Sequence, residues 1–106
     1  MDVMDDHVVQ AGRSVTVRSV AEFHASLLSV FGQGRGDVVL DLSDLGELDL
    51  SFIQIVEATR KQFAGAGRGV RLLHPADGPV AALLARAGFD TSLDAIDFWF
   101  HGELQA

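Results

Sequence analysis

The sequence predicts an α/β domain: a small, mostly parallel sheet with an N-terminal hairpin, and helices packed on it. Three observations carry this. Val38-Val39-Leu40 and Val70-Arg71-Leu72-Leu73 are short apolar runs bounded by glycine and polar residues, the pattern of strands buried within a sheet. Between and around them lie stretches with apolar residues at helical spacing, each closed by glycine. The connections are short, which favours strand–helix–strand units with right-handed crossovers. A chain of 106 residues has the size of one domain around one core.

Residues 1–6 read as a loose acidic tail, and residues 7–106 as the folded unit. Val8-Val9 and Val15-Thr16-Val17 flank Ala11-Gly12-Arg13, which predicts a hairpin. Ser19 followed by Glu22 has the spacing of a capping box. Val20, Phe23, Leu27, Val30 and Phe31 then mark a helix that Gly32 ends. Val38–Leu40 is the central strand, and residues 45–49 form a loop. A second helix starts near Ser51 and runs to about Ala64, with Phe52, Ile55, Val56, Thr59 and Phe63 on its buried side. Gly65 and Gly67 stop it before the strand at Val70. Gly78-Pro79 opens a third helix, since proline in the first turn gives up no hydrogen bond. Val80, Leu83, Leu84 and Ala87 line it, and Gly88 caps it. The segment holding Phe98, Trp99 and Phe100 fits a short strand or a helix, suited to the core, a sheet edge or a dimer contact.

Composition narrows the function. The net charge of −7 disfavours binding to nucleic acid or anionic headgroups. No cysteine is present, which excludes disulfides, thiolate metal sites and a cysteine nucleophile. No apolar run is long enough to span a bilayer, and the acidic start does not resemble a secretory signal, so a cytoplasmic protein without membrane insertion is expected.

Signals for catalysis are weak. No Gly-x-Ser-x-Gly elbow occurs, and His7, His24, His74 and His101 lack ligand spacing. Gly65-Ala66-Gly67-Arg68-Gly69 follows a helix and precedes a strand, the reverse of a dinucleotide-binding loop, and fits a helix C-cap and turn. Asp41 ends the central strand as a phosphoacceptor aspartate would, but the first strand brings no acidic pair and the lone lysine, Lys61, is mid-helix. No enzyme, metal or cofactor is expected.

A charge pattern remains. Asp37, Asp41, Asp44, Glu47 and Asp49 fall in residues 37–50 without a basic residue, whereas Arg60, Lys61, Arg68 and Arg71 fall in 60–71 without an acidic one. This suits the dipoles of flanking helices. It also suits an acidic face beside Ser51 that meets a basic partner.

The stretch from Val38 to Ser51, with Asp41-Leu42-Ser43 closing the strand and Asp49-Leu50-Ser51 opening the next helix, resembles the STAS domain family of anti-sigma factor antagonists. The similarity continues through Gly69–Leu73 and Val80–Phe89 and is strongest over residues 7–90. The resemblance implies a non-catalytic interaction module of bacterial signalling. Its expected partner is a serine kinase, the anti-sigma factor, or another histidine-kinase-like ATPase. The family motif is Asp-Ser-Ser/Thr-Gly, so Ser51 falls on the phosphoacceptor and Asp49 on the motif aspartate; Leu50 and Phe52 replace its Ser and Gly. Asp44, Glu47, Asp49, Leu50, Ser51, Phe52 and Ile55 are the expected partner-binding residues. The altered motif, with apolar Leu50 and Phe52 on the first turn, also fits a non-phosphorylated subunit of a larger assembly such as a lipid-transport ATPase complex. A chemotaxis-operon regulator is a further version, and a dimer is compatible with either.

Overall fold

The computed structural model describes residues 6–89 and 91–102. Its elements follow the chain as β1 (His7–Gln10), β2 (Ser14–Val15), α1 (Val20–Gly32), β3 (Val38–Asp41), β4 (Glu47–Leu48), α2 (Leu50–Gly65), β5 (Val70–Leu72), α3 (Gly78–Arg86) and α4 (Leu93–Phe100). β3 lies between β1 and β5, and both pairings are parallel. α1 carries the chain from β1 and β2 to β3, and α2 carries it from the β3–β4 segment to β5. The α/β fold with a small parallel sheet is therefore as expected.

The N-terminal hairpin is not formed. β1 pairs parallel with β3, and β2 pairs parallel with β4, so the first two strands never face each other. The residues between them, 11–13, turn alongside the β3–β4 connection instead: Ala11 N–H donates to the Asp41 carbonyl at 3.0 Å, and the Arg13 carbonyl accepts from Gly46 and Glu47 at 3.0 and 3.1 Å. The physical reason is that a buried central strand needs a partner on each side. β1 supplies one of them along its full length, which a hairpin with the two-residue β2 would forgo. The same pairing turns part of the expected 45–49 loop into β4.

One cluster joins the elements. Phe23, Leu27 and Val30 of α1, Val38 and Leu40 of β3, and Phe52, Ile53, Val56 and Phe63 of α2 meet Leu84 of α3 and Phe98, Trp99 and Phe100 of α4. The aromatic C-terminal segment is thus helical and interior. Trp99 is fully buried, with its ring 5.9 Å from Phe52 and 4.9 Å edge-on from Phe98. Burial of Phe98, Trp99 and Phe100 explains why a helix with so many consecutive apolar residues forms at the end of a small domain.

One cap and one end of the expected tail differ from expectation. The Ser19 hydroxyl does not cap α1; it donates to the Ser14 carbonyl at 3.2 Å and accepts from Thr16 N–H at 3.0 Å, securing the turn after β2. Asp6, at the end of the stretch read as a tail, is anchored: its carboxylate accepts from Asp37 N–H at 3.3 Å and from Arg71 at 3.0 Å. Residues 1–5 of that stretch lie outside the described residues.

The glycine run after α2 does make a C-terminal turn, with Gly67 at φ 73°. Between its glycines sits Arg68, whose guanidinium donates to the carbonyls of Val30, Phe31, Arg35 and Gly36 at 2.7–3.0 Å. It also lies over the rings of Phe31 and Phe63 at 5.3 and 4.6 Å. A cation at the carbonyl end of α1 complements its dipole, and the planar fork suits several acceptors at once. Arg68→Met should lower stability by about 2–3 kcal/mol, seen as a fall of roughly 10 °C or more in Tm. Arg68→Lys should recover less than half, because an ammonium cannot reach the same acceptors together. A fall under about 2 °C for the Met variant would show that the clamp contributes little.

Candidate functional site

The site forms where the chain leaves β4 and enters α2, beyond the carboxyl ends of the parallel strands. Asp49 is extended, with φ −138° and ψ −171°, and caps the helix. Oδ1 accepts from Ser51 N–H at 3.0 Å and from the Ser51 hydroxyl at 2.5 Å. Oδ2 accepts from Val17 N–H at 3.0 Å, tying the turn after β2 to the start of α2. The cap is therefore Asp49 rather than Ser51. Aspartate serves because its short carboxylate reaches free N–H groups that a helix start leaves without partners.

These bonds favour the charged carboxylate. The Ser51 hydroxyl first, and the Val17 N–H next, hold the Asp49 carboxyl below its ordinary value. Asp41 repeats the arrangement at the end of β3: Ser43 gives its hydroxyl at 2.5 Å and its N–H at 3.0 Å to Oδ1, and the Asp41 carboxyl is likewise lowered. Two Asp-x-Ser steps thus mark the same end of the sheet.

Packing decides what the first turn of α2 shows to solvent. Phe52 is fully buried between Phe23, at 6.0 Å centroid separation, and Trp99. Ile53 is buried as well. With these two side chains inside, Leu50 remains 48% exposed. Ser51 is half-buried, with its oxygen on Asp49.

The expected site residues divide accordingly. Asp49, Leu50 and Ser51 form one turn; Asp44 and Glu47 are exposed on the approach to it, and Ile55 is half-buried one turn along the helix. Phe52 is the correction. Its place on the buried side of α2, expected from the helical spacing, holds, and the expectation that it adds apolar surface to the first turn is overturned, because its ring fills the core. Sequence reasoning missed two features. One is the tie from Asp49 to Val17, which no local pattern signals. The other is a groove of about 570 Å³ in which Leu50, Ile53 and Ala58 of α2 face Ala87 and Phe89 after α3. Leu50 and Phe89 were visible as apolar residues, but their juxtaposition depends on how α2 and α3 pack.

The other candidates stay apart from this turn. His74 is exposed after β5, His24 is half-buried on α1, and His7 meets the Arg35 carbonyl at 3.2 Å. Among the described residues, no three His, Asp or Glu side chains are grouped to hold a metal ion, and no helix is long and apolar enough to cross a membrane.

The small, mostly parallel sheet and the helices packed on it are consistent with a single STAS-like domain. Residues 4–96 match the family described as "Mlab, STAS domain", and the chain belongs to that family. Comparisons with curated proteins and with solved structures found no match. STAS domains mediate protein–protein interactions in signalling and transporter-associated settings and are generally non-catalytic.

The lowered Asp49 carboxyl fixes the sign of a pH effect. A group with a depressed folded-state pKa stabilises the fold above its unfolded value, and that contribution is lost as pH falls through the folded value. Asp49→Asn keeps a capping side chain but no longer titrates. Urea midpoints measured between about pH 6 and pH 2.5 should fall less steeply for the Asn variant than for wild type below about pH 4. Parallel curves would show that the cap is indifferent to the charge.

Proposed function

We propose that this chain is a non-catalytic, cytoplasmic docking module of bacterial signalling, which binds a protein partner through the first turn of α2. Leu50, Ser51 and Ile55 form the contact, with Asp44, Glu47 and Asp49 as its acidic rim. The partner is a serine kinase of the histidine-kinase-like ATPase type that acts as an anti-sigma factor, and Ser51 is the switch. The single observation that carries this reading is the Ser51 hydroxyl at the mouth of α2, bonded to Asp49 and next to exposed Leu50.

The switch follows from charge. Oγ of Ser51 attacks the γ-phosphorus of ATP held by the kinase; the O–P bond forms, ADP leaves, and the hydroxyl proton passes to a base. Asp49 Oδ1 already accepts that hydrogen bond. The product places about 1.5–2 negative charges where the hydroxyl met a carboxylate. Helix N–H groups favour the phosphate, so the fold survives. Asp49 is displaced from Ser51 and its hold on Val17 loosens. An apposed partner surface then faces a concentration of like charge, which costs affinity steeply once desolvated.

A second reading is a constitutive subunit of a larger assembly, such as a lipid-transport ATPase complex. The apolar groove running from Leu50 to Phe89 favours it, since exposed apolar surface suits a lasting contact. One experiment separates the two. Wild type, Ser51→Ala and Ser51→Glu are used to capture partners from native cells, and Ser51 is analysed for phosphate. The switch reading expects phosphate on Ser51 and binding reduced at least about tenfold by Ser51→Glu but not by Ser51→Ala. Equal capture by all three, with Ser51 unmodified and Leu50→Asp disrupting the complex, selects the constitutive subunit. No capture by any of them removes the docking role.

A further inference from the structure

The two edges of the three-stranded sheet are treated differently. On the β5 side, α4 packs against the strand, and His101 Nε2 lies 3.0 Å from the outward carbonyl of Leu72. His101 takes a left-handed φ of 52°, uncommon for a residue with a side chain, as the chain turns at the end of α4. That edge is covered at Leu72, where α4 and His101 reach it.

Among the described residues, the β1 edge is open. The parallel register with β3 directs alternate N–H groups inward: His7 donates to the Asp37 carbonyl at 2.9 Å and Ala11 to that of Asp41 at 3.0 Å. The N–H and C=O groups of Val8 and Gln10 therefore face away from the sheet. Among the described residues none pairs with them. Natural edge strands are guarded by lysine, proline, bulges or a covering element. His7-Val8-Val9-Gln10 contains neither lysine nor proline, its ladder to β3 is unbroken, and Val8 is 62% exposed. Beside the strand runs a groove of about 490 Å³, where α1 contributes only the small side chains of Ala25, Ser26 and Ser29 besides Val30.

We propose that β1 pairs antiparallel with β1 of a second copy, joining two sheets of three strands into one of six. With Val9 on a two-fold axis perpendicular to the sheet, Val8 of each copy stands opposite Gln10 of the other. Each such pair exchanges both of its outward N–H···O=C bonds. The two α1 helices then meet on the same face, where their small side chains leave room. Charge selects the direction. Asp6 precedes the strand and Arg13 follows it. Antiparallel pairing brings the Asp6 end of one copy's strand toward the Arg13 end of the other's, whereas parallel pairing would set like ends together; Asp6 keeps its bond to Arg71 of its own chain. The Arg13 guanidinium has no partner among the described residues. The net charge of −7 per copy opposes association, but only over a Debye length of about 8 Å at physiological salt. A short strand pair with flanking helix contacts lies at the small end of stable interfaces, so a Kd in the micromolar range, about 1–100 µM, is expected. This surface is separate from the first turn of α2, and the inference stands or falls independently of the docking role.

Sedimentation equilibrium of the full chain over about 1–300 µM at physiological salt tests it, bracketing the expected Kd. Wild type should move from monomer to dimer with concentration. Val8→Pro removes an N–H that β3 does not use, so circular dichroism and the unfolding midpoint should hold while the dimer weakens at least about tenfold. Val8→Lys changes only an exposed side chain and should weaken it similarly; it decides the matter if the proline variant fails to fold. Arg13→Glu should weaken it by a few fold. A wild type that stays monomeric throughout overturns the proposal, as does a dimer that the folded Val8 variants leave unchanged.

Discussion

The burial of Phe52 is the constraint on which the rest depends. Its ring lies between Phe23 of α1 and Trp99 of α4, so a single side chain joins the first and last described helices through the start of α2. Apolar area of this size, removed from water, outweighs any local preference at a helix start. With Phe52 and Ile53 inside, the helix has one rotation available, and that rotation leaves Leu50 and Ser51 at the surface. A residue that departs from the family motif therefore presents the motif's serine by occupying the core beneath it.

Polar clamps complete what the core begins, and they cluster at the two ends of the sheet. At the carboxyl ends of the strands, Asp41 and Asp49 each gather the N–H and hydroxyl of a serine two residues on. At the amino ends, Arg71 lies within 3.0 Å of Asp6 and 3.6 Å of Asp37, and Asp37 accepts from Gly69 N–H at 2.8 Å. A Cβ at Gly69 would lie 3.2 Å from the Asp37 carboxylate, a tight contact that the carboxylate would have to ease. Arg68, one residue earlier, closes the end of α1. Arg68 and Arg71, the basic residues between α2 and the end of β5, are thus structural, whereas the acidic run before α2 leaves Asp44 and Glu47 exposed.

This division gives the molecule two separate surfaces. The first turn of α2 and the groove toward Phe89 lie beyond the carboxyl ends of the strands, and the β1 edge lies along the side of the sheet. Covering one leaves the other accessible. The partly covered β5 edge and the open β1 edge come from the same economy of chain: α4 ends against Leu72 of β5, and no described element crosses β1.

Much of this was legible in the sequence because the signals were local. The apolar run at residues 38–40, the helical spacing of α1 and α2, Pro79 in the first turn of α3 and the glycine stops all act within a few residues of chain. The serine at the start of α2 was legible for the same reason. The partners of the first two strands were not, since a hairpin and two parallel pairings share one pattern of valines, and the choice rests on what β3 and β4 offer from thirty residues away. Nor were the tie from Asp49 to Val17 or Ser19 turning from α1 to the loop behind it. By itself, then, the sequence determined the element types, the parallel α/β class and the place of Asp49 and Ser51 at a helix start, because propensity, periodicity and capping are short-range. Only the tertiary structure decided which strands meet, what the Asp49 cap ties together and which edge is left open, because those outcomes minimise exposed apolar surface and unpaired backbone over the whole molecule at once.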